Sequence, residues 1–195
     1  MTQPKVTVLM SVLNGEDYLR EAIDSILAQT FTDFEFLIID NASTDGTATI
    51  IASYDDARIR CIRNDDVLTL TQSLNKGLEA ARGEYIARLD ADDIAFANRL
   101  DKQVRHLDDH PDVALVASVA TDFGNGAPLP GVPGPTPPNN HDDLLVALAR
   151  DSIIAHSSIM FRRQDVMKIG GYPGEYAYCM DYLLYFRLAR HHRLG

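Results

Sequence analysis

The chain has no tryptophan, only two cysteines, and no apolar run approaching membrane-spanning length. Each shortage excludes something. Cys61 and Cys179 belong to no Cys-x-x-Cys or Cys/His cluster, so neither a zinc site nor a disulfide framework is indicated. Two buried, reduced thiols in a reducing, cytoplasmic compartment are the expectation. Positive charge is scarce as well, with 18 Lys and Arg against 28 Asp and Glu and a formal net charge of −10. That balance argues against nucleic acid as a partner and against a polybasic membrane patch. It still admits anionic phosphate substrates, which a metal and backbone N–H groups can hold. The start, Met1-Thr2-Gln3-Pro4-Lys5, runs directly into a strand-like segment and reads as no signal peptide. What remains is an ordinary globular composition, 46% apolar and 24% charged over 195 residues, enough for one domain with a substantial core.

Val6-Thr7-Val8-Leu9-Met10 is nearly continuously apolar, as a central parallel strand covered on both faces would be. Asn14 breaks the pattern and can cap the next element. Leu19, Ala22, Ile23, Ile26 and Leu27 predict a helix from about Asp17 to Ala28. Strands are predicted at Phe34–Ile39, Arg58–Ile62, Tyr85–Leu89, Val113–Ala117 and Ser158–Phe161. Helices are predicted through Ile50 and Ile51, over Leu70–Ala81 and Asn98–Asp109, over about Asp142–Ala149, and over Asp181–His191. The last of these would carry Leu184, Leu188 and His191 on one side, and His191-His192-Arg193 reads as solvated. This alternation argues for one α/β unit with a mostly parallel central sheet flanked by helices. Gly124–Asn140 holds six prolines among glycines and asparagines, which rules out a regular element and predicts a mobile flap.

Two acidic turns follow two apolar strands: Asp40-Asn41 after the second, and Asp90-Ala91-Asp92-Asp93 after the fourth. In a parallel sheet both lie at the same edge, where open α/β sheets place ligands. Asp90 and Asp92 can face one point while Asp93 turns away. Two hard oxygen ligands suit Mg²⁺ or Mn²⁺ completed by waters and substrate phosphates. Asp-x-Asp is also common in solvated turns, and Asp, Asn, Ser and Gly dominate turns anyway. Together the two turns point to a nucleotide-diphosphate site on an even footing with that plainer reading.

Several further segments recur in order. Val6–Ser11 with Asn14, Ser25–Phe31, and Ile38–Thr47 resemble the N-terminal half of family 2 glycosyltransferases. Gly83–Asp93 is similar to the metal-binding Asp-x-Asp segment of that family. His156–Arg163, Gly170-Gly171-Tyr172 and Asp181–Ala189 are similar to its acceptor half, so the resemblance covers nearly the whole chain. It implies a GT-A (Rossmann-like) fold and an inverting transfer of a sugar from a nucleotide diphosphate, with UDP-sugars the expected donors and a glycan or lipid-linked molecule the acceptor. Residues 1–93 would form the donor half and 94–195 the acceptor half. Carried across, Ser11, Asp40 and Asn41 would hold the nucleoside. Asp90 would contact the ribose and the metal shell, Asp92 would ligate Mn²⁺ or Mg²⁺, and Asp181 would be the general base.

Three departures accompany this. Leu13 stands where relatives often carry an aromatic, and Met180 replaces the acidic neighbour of the base. Relatives also usually continue past the last helix, so a truncated acceptor side is expected. His156 suits either a diphosphate or acceptor contact or a structural hydrogen bond, whereas Arg99 suits a structural pairing with Asp93. No spanning segment is expected, which leaves room for peripheral association at the inner membrane face. The competing readings are a sugar-nucleotidyltransferase and a non-catalytic nucleotide- or sugar-binding domain. The first would want a Gly-rich, Arg-containing loop after the first strand, and Ser11–Glu16 is not one.

Overall fold

The computed structural model describes residues 3–121, 123–124, 127–128, 138, 140–174 and 179–195. In chain order the elements are β1 (Val6–Val12), α1 (Leu19–Leu27), β2 (Phe34–Asp40), α2 (Thr47–Ala52), β3 (Ile59–Arg63), α3 (Leu70–Ala80), β4 (Tyr85–Arg88), α4 (Arg99–Asp109), β5 (Val113–Ala117), β6 (Phe123–Gly124), β7 (Ala127–Pro128), α5 (His141–Leu148), β8 (Ile159–Arg162), α6 (Arg163–Lys168), α7 (Met180–Ala189) and β9 (Arg193–Leu194). A single 3-10 turn, His156–Ser158, leads into β8.

Seven strands form one sheet in the order β3-β2-β1-β4-β8-β5-β9. The first four are parallel, and β8 runs antiparallel to both β4 and β5. Strand alternation sorts the apolar residues into two layers. Val6, Val8, Met10 and Val12 of β1 and Phe34, Phe36 and Ile38 of β2 pack on one face with α1 and α4. Leu9, Leu37 and Ile39 pack on the other with Leu74, Leu78, Leu148, Leu184 and Leu188. Every residue of β2 is buried, Glu35 and Asp40 included, which explains why the rest of the strand is apolar.

At the incoming edge a polar network sets the β1/β2/β4 register. Thr7 donates through Oγ1 to Glu35 Oε1 at 2.7 Å and accepts from the Gly83 N–H at 2.8 Å. Arg60 Nη2 completes the Glu35 carboxylate at 3.1 Å.

Several expectations change. Asn14 does not cap α1, whose N-cap is Tyr18; its φ of 54° and its amide serve the next turn instead. Both cysteines are exposed rather than buried. Cys61 lies on β3, an edge strand with one poorly covered face, and Cys179 precedes α7 in the left-handed region. The helix α6 and the strand β9 were not anticipated. Arg193, expected to be solvated, opens β9, where its N–H reaches Asp112 O at 3.1 Å. His191 is exposed while His192 is half-buried, 3.9 Å from Asp165. At the start of the proline-rich stretch a two-stranded antiparallel ladder pairs Phe123 with Pro128 and Gly124 with Ala127, where an edge tolerates a proline without an N–H. Residues 125–126, 129–137 and 139, and with them the expected flap, lie outside the described residues. Among the described residues no helix is long and apolar enough to cross a membrane.

Gly83 delivers the chain into β4 against β1. A Cβ there would stand 2.3 Å from the Thr7 nitrogen and 2.6 Å from the Val6 carbonyl carbon, both backbone atoms that cannot step aside. Gly83→Ala should therefore destabilise by about 1–3 kcal/mol, as overpacking does. Thermal unfolding checks this, and an unchanged melting temperature would show that β4 can shift to make room.

Candidate active site

The outgoing edge of the parallel strands gathers the candidate residues. Ser11 is the last but one residue of β1, partly exposed and in register with Ile39. Beyond it the β1–α1 and β2–α2 turns are laced together. Asn14 Oδ1 accepts from Thr44 N–H at 2.9 Å and Asn14 N–H donates to Ser43 Oγ at 3.0 Å. Gly15 N–H donates to Thr47 Oγ1 at 2.9 Å. Asp40, 1% exposed, accepts from Arg63 Nη1 at 2.5 Å and from Ser43 N–H at 3.0 Å. Asn41 is saturated by local bonds: its Nδ2 donates to Leu68 O at 2.8 Å, and its Oδ1 accepts from Leu68 N–H and Asn64 Nδ2, both at 2.9 Å. In this structure both side chains hold the loops that frame the donor side.

The acidic turn leaves β4 beside β1, with Leu89 N–H donating to Leu9 O at 3.2 Å. Asp92 is exposed and Asp90 partly so. Asp93 turns inward, half-buried; burial raises its carboxyl above the usual carboxylate range, a hydrogen bond with Ser157 opposes this, and the charges of Asp90 and Asp92 add to it. The chain after the turn is clamped to α1. Ala95 N–H donates to Ser25 Oγ at 3.1 Å, and Gln29 takes Phe96 O at 2.8 Å and Leu100 N–H at 3.0 Å. That clamp gives the Ser25–Phe31 segment a physical reason: it fixes where the acidic turn exits.

The floor of the site is cationic. Arg88, at the end of β4, is wholly buried; it donates to Asp90 Oδ1 through Nη2 and to Leu89 O through Nη1. Arg99 is buried beside it, giving its N–H groups to Arg88 O at 2.7 Å, Ile159 O at 3.1 Å and Gln103 Oε1 at 3.1 Å. Its role is structural as expected, though its bonded partners are backbone carbonyls and a glutamine rather than Asp93. Burial, reinforced by the charge of Arg88, pushes its pKa down to about 10.

On the far side, His156 Nε2 lies 3.0 Å from the Tyr172 hydroxyl, with the rings edge to face at 5.4 Å. Burial, then the Arg88 charge, holds its imidazole well below the ordinary histidine pKa, so the ring is neutral. Tyr172 is fixed in turn by Asn75, which takes its N–H at 2.8 Å and its carbonyl at 2.9 Å. Asp181 is the second residue of α7, half-buried; the N-cap position belongs to Cys179 at φ 63°. Burial raises the hydroxyl pKa of Tyr172 and Tyr185, and both feel the charges of Asp181 and Asp90.

Asp90 and Asp92 are the two carboxylates expected to hold a metal. Among the described residues no group of three or more His, Cys, Asp or Glu assembles as a cage. One Asp90 oxygen is engaged by Arg88 and Asp92 is open to solvent, so the pair fits an ion that draws its remaining ligands from water and phosphate. Arg88, Tyr172 and Tyr185 were not singled out as site residues in the sequence. Arg88 carried a usable signal, as the one cation within Tyr85–Leu89.

Comparisons with known proteins bear on the family and the fold. The sequence profile of glycosyl transferase family 2 matches residues 7–170. The candidate glycosyltransferase EpsE of Bacillus subtilis (strain 168) is 39% identical over 178 residues, covering 87% of this chain and 60% of EpsE. Among solved structures, S. aureus TarS 1–349 in complex with UDP-GlcNAc superimposes with a TM-score of 0.76 at 21% identity, over 97% of this chain and 55% of that one. The mannosyltransferase PcManGT from Pyrobaculum calidifontis, in complex with GDP-Man and Mn²⁺, also gives 0.76, at 22% identity, over the whole chain and 55% of the neighbour. The chain thus spans a little over half the length of each of these proteins. With the GT-A sheet, the ordered acidic turns and the profile match over most of its residues, this chain belongs to glycosyl transferase family 2.

Proposed function

We propose that this chain carries the catalytic part of an inverting, metal-dependent glycosyltransferase that moves a sugar from a nucleotide diphosphate, UDP in the first instance, to a glycan or lipid-linked acceptor. The observation that carries the reading is the acidic turn with Asp90 and Asp92 where β4 leaves the sheet, together with Asp181 at the start of α7, whose charge acts with that of Asp90 on the buried hydroxyls of Tyr172 and Tyr185. The UDP-GlcNAc and GDP-Man–Mn²⁺ complexes of the structural neighbours support the donor class and the metal.

Residues 1–93 form the donor half. Ser11, Asp40 and Asn41 line the nucleoside end, the last two by fixing the loops that frame it. Asp92, open to solvent, and the free oxygen of Asp90 hold Mn²⁺ or Mg²⁺. When bound, that ion supplies Lewis-acid stabilisation of the departing diphosphate. Residues 94–195 form the acceptor half. Asp181 takes the proton of the attacking hydroxyl, which displaces the diphosphate from the opposite face of the sugar. His156, neutral and anchored by Tyr172, orients a hydroxyl or phosphate oxygen without adding charge. Ile94 and Phe96 are exposed beside the acidic turn and offer apolar surface to the acceptor. A cytoplasmic location, at the membrane face for a lipid-linked acceptor, fits the acidic balance of the chain.

Three outcomes test this. UDP with Mn²⁺ should raise the melting temperature far more than UDP with EDTA, since a ligand stabilises only the state that binds it. Asp92→Ala should erase that difference, and an undiminished shift in the variant would remove Asp92 from the metal. Asp181→Asn should cost at most about 1 kcal/mol of helix-dipole stabilisation yet lower the transfer rate about 10²–10⁴-fold; transfer near the wild-type rate would place the base elsewhere. The third outcome concerns pH. The folded pKa of His156 lies below its unfolded value of about 6.5, so only the unfolded chain gains a proton there, and stability drops as pH falls below that value. The stability difference between wild type and His156→Gln should therefore narrow between pH 7 and pH 5. A constant difference would mean the ring titrates normally.

A further inference from the structure

Among the described residues two buried side-chain polar atoms have no hydrogen-bond partner: Nε of Arg88 and the hydroxyl of Tyr185. Both side chains are fully buried, and a buried donor left unsatisfied is costly enough to require a reason. The two face the same layer of the molecule. Tyr85, Ala87 and Leu89 point into the core shared with α1 and α4, so Ile86 and Arg88 point the other way, into the layer that contains Tyr172, Leu184 and Tyr185. The Tyr185 hydroxyl lies within reach of the Arg88 charge.

Each also stands next to one acidic centre of the site. Arg88 already carries Asp90 through Nη2. Tyr185 follows Asp181 by four residues, one turn along the same face of α7, and Asp181 is the strongest charge acting on its hydroxyl. We propose that Arg88 and Tyr185 are positioning residues that hold Asp90 and Asp181 in one geometry, their two spare donors converging on a buried water that passes a hydrogen bond on to Asp181. Water fits the chemistry. It accepts from the Nε–H and the O–H together and still has two protons to give. An anion would be repelled by the two carboxylates, and an apolar neighbour would leave both donors unmet. The inference rests on the reading of Asp181 as the base. It adds that the base is aimed from below, by the guanidinium that also aims the donor-side aspartate.

The plain alternative is that Tyr185 only fills space, and the two cases predict opposite signs. Tyr185→Phe keeps the ring and removes the hydroxyl. If the hydroxyl is merely stranded, removing it leaves the melting temperature unchanged or raises it. If it forms the bridge, the melting temperature falls by about 2–4 °C, the size expected for one buried hydrogen bond in a chain of this length. In an Asp181→Asn background that fall should at least halve, because the partner is altered. In the transfer assay Tyr185→Phe should lower kcat about tenfold with donor KM within twofold, a split that general loss of packing does not produce. An unchanged or raised melting temperature, or an equal fall in both backgrounds, overturns the bridge. Should Tyr185→Phe fail to fold, Arg88→Lys, which keeps the charge and lacks Nε, enters the same cycle with the same criteria. The melting cycle uses no substrate. Absence of transfer in the wild type would therefore sink the proposed function while the cycle still judges the bridge, and full transfer by Tyr185→Phe would sink the bridge alone.

Discussion

A guanidinium buried away from bulk solvent must be answered by its surroundings, and the site is built on that demand. Arg88 ends β4 with no exposed surface. Desolvating such a group costs several kcal/mol unless charge and hydrogen bonds compensate. The compensation comes from Asp90, and it turns a flexible acidic loop into one with a fixed first residue. Because Arg99 is buried against the Arg88 carbonyl, the helix that follows the turn is tied to the same point. The neutrality of His156 follows from burial, with the same charge adding to it. One residue thus orients an aspartate through its guanidinium, seats a helix through its carbonyl and helps to keep a histidine neutral.

The sheet contributes a second constraint. Parallel strands with full in-register ladders between β1 and β2 end at one level, so everything that follows them emerges together. The turns after β1 and β2 then stitch to one another through Asn14, Ser43, Thr44 and Thr47 instead of to solvent. That stitching is why short polar residues crowd both turns. Their small side chains reach neighbouring backbone without bulk, and Asn14 and Ala42 take left-handed φ values that the close crossing demands.

Much of the fold was legible because its signals are periodic. The apolar runs at Val6–Met10 and Phe34–Ile39 and the helical spacing of Leu19, Ala22, Ile23 and Ile26 report burial directly. Pairing direction has no such signature, so the reversal of β8 could not be read from Ile159–Phe161. The two-residue β9 is likewise too short to carry a period. The cysteines misled because apolar side chains default to the interior, whereas Cys61 sits on an edge strand whose outer face nothing covers. Within the site, spacing located Asp90, Asp92 and Asp181 along the chain. It could not report that Asn41 spends its amide on Leu68 or that α7 begins one residue before Asp181. Those facts depend on which backbone groups come close in space.

The reversal of β8 has a consequence for how such a protein can change. β5 leaves the sheet at Ala117 and β8 enters it at Ile159, side by side at the same edge, with Ser118 N–H bonded to Ser158 O at 3.2 Å. The whole excursion between them, residues 119–157, therefore starts and finishes at one doorway. Its length scarcely affects the cost of closing it, since loop-closure entropy grows only logarithmically. The seven-stranded sheet works as a fixed socket, and the excursion can be lengthened or shortened between its ends so long as Leu148, which packs in the core, and His156 and Ser157, which reach Tyr172 and Asp93, are kept.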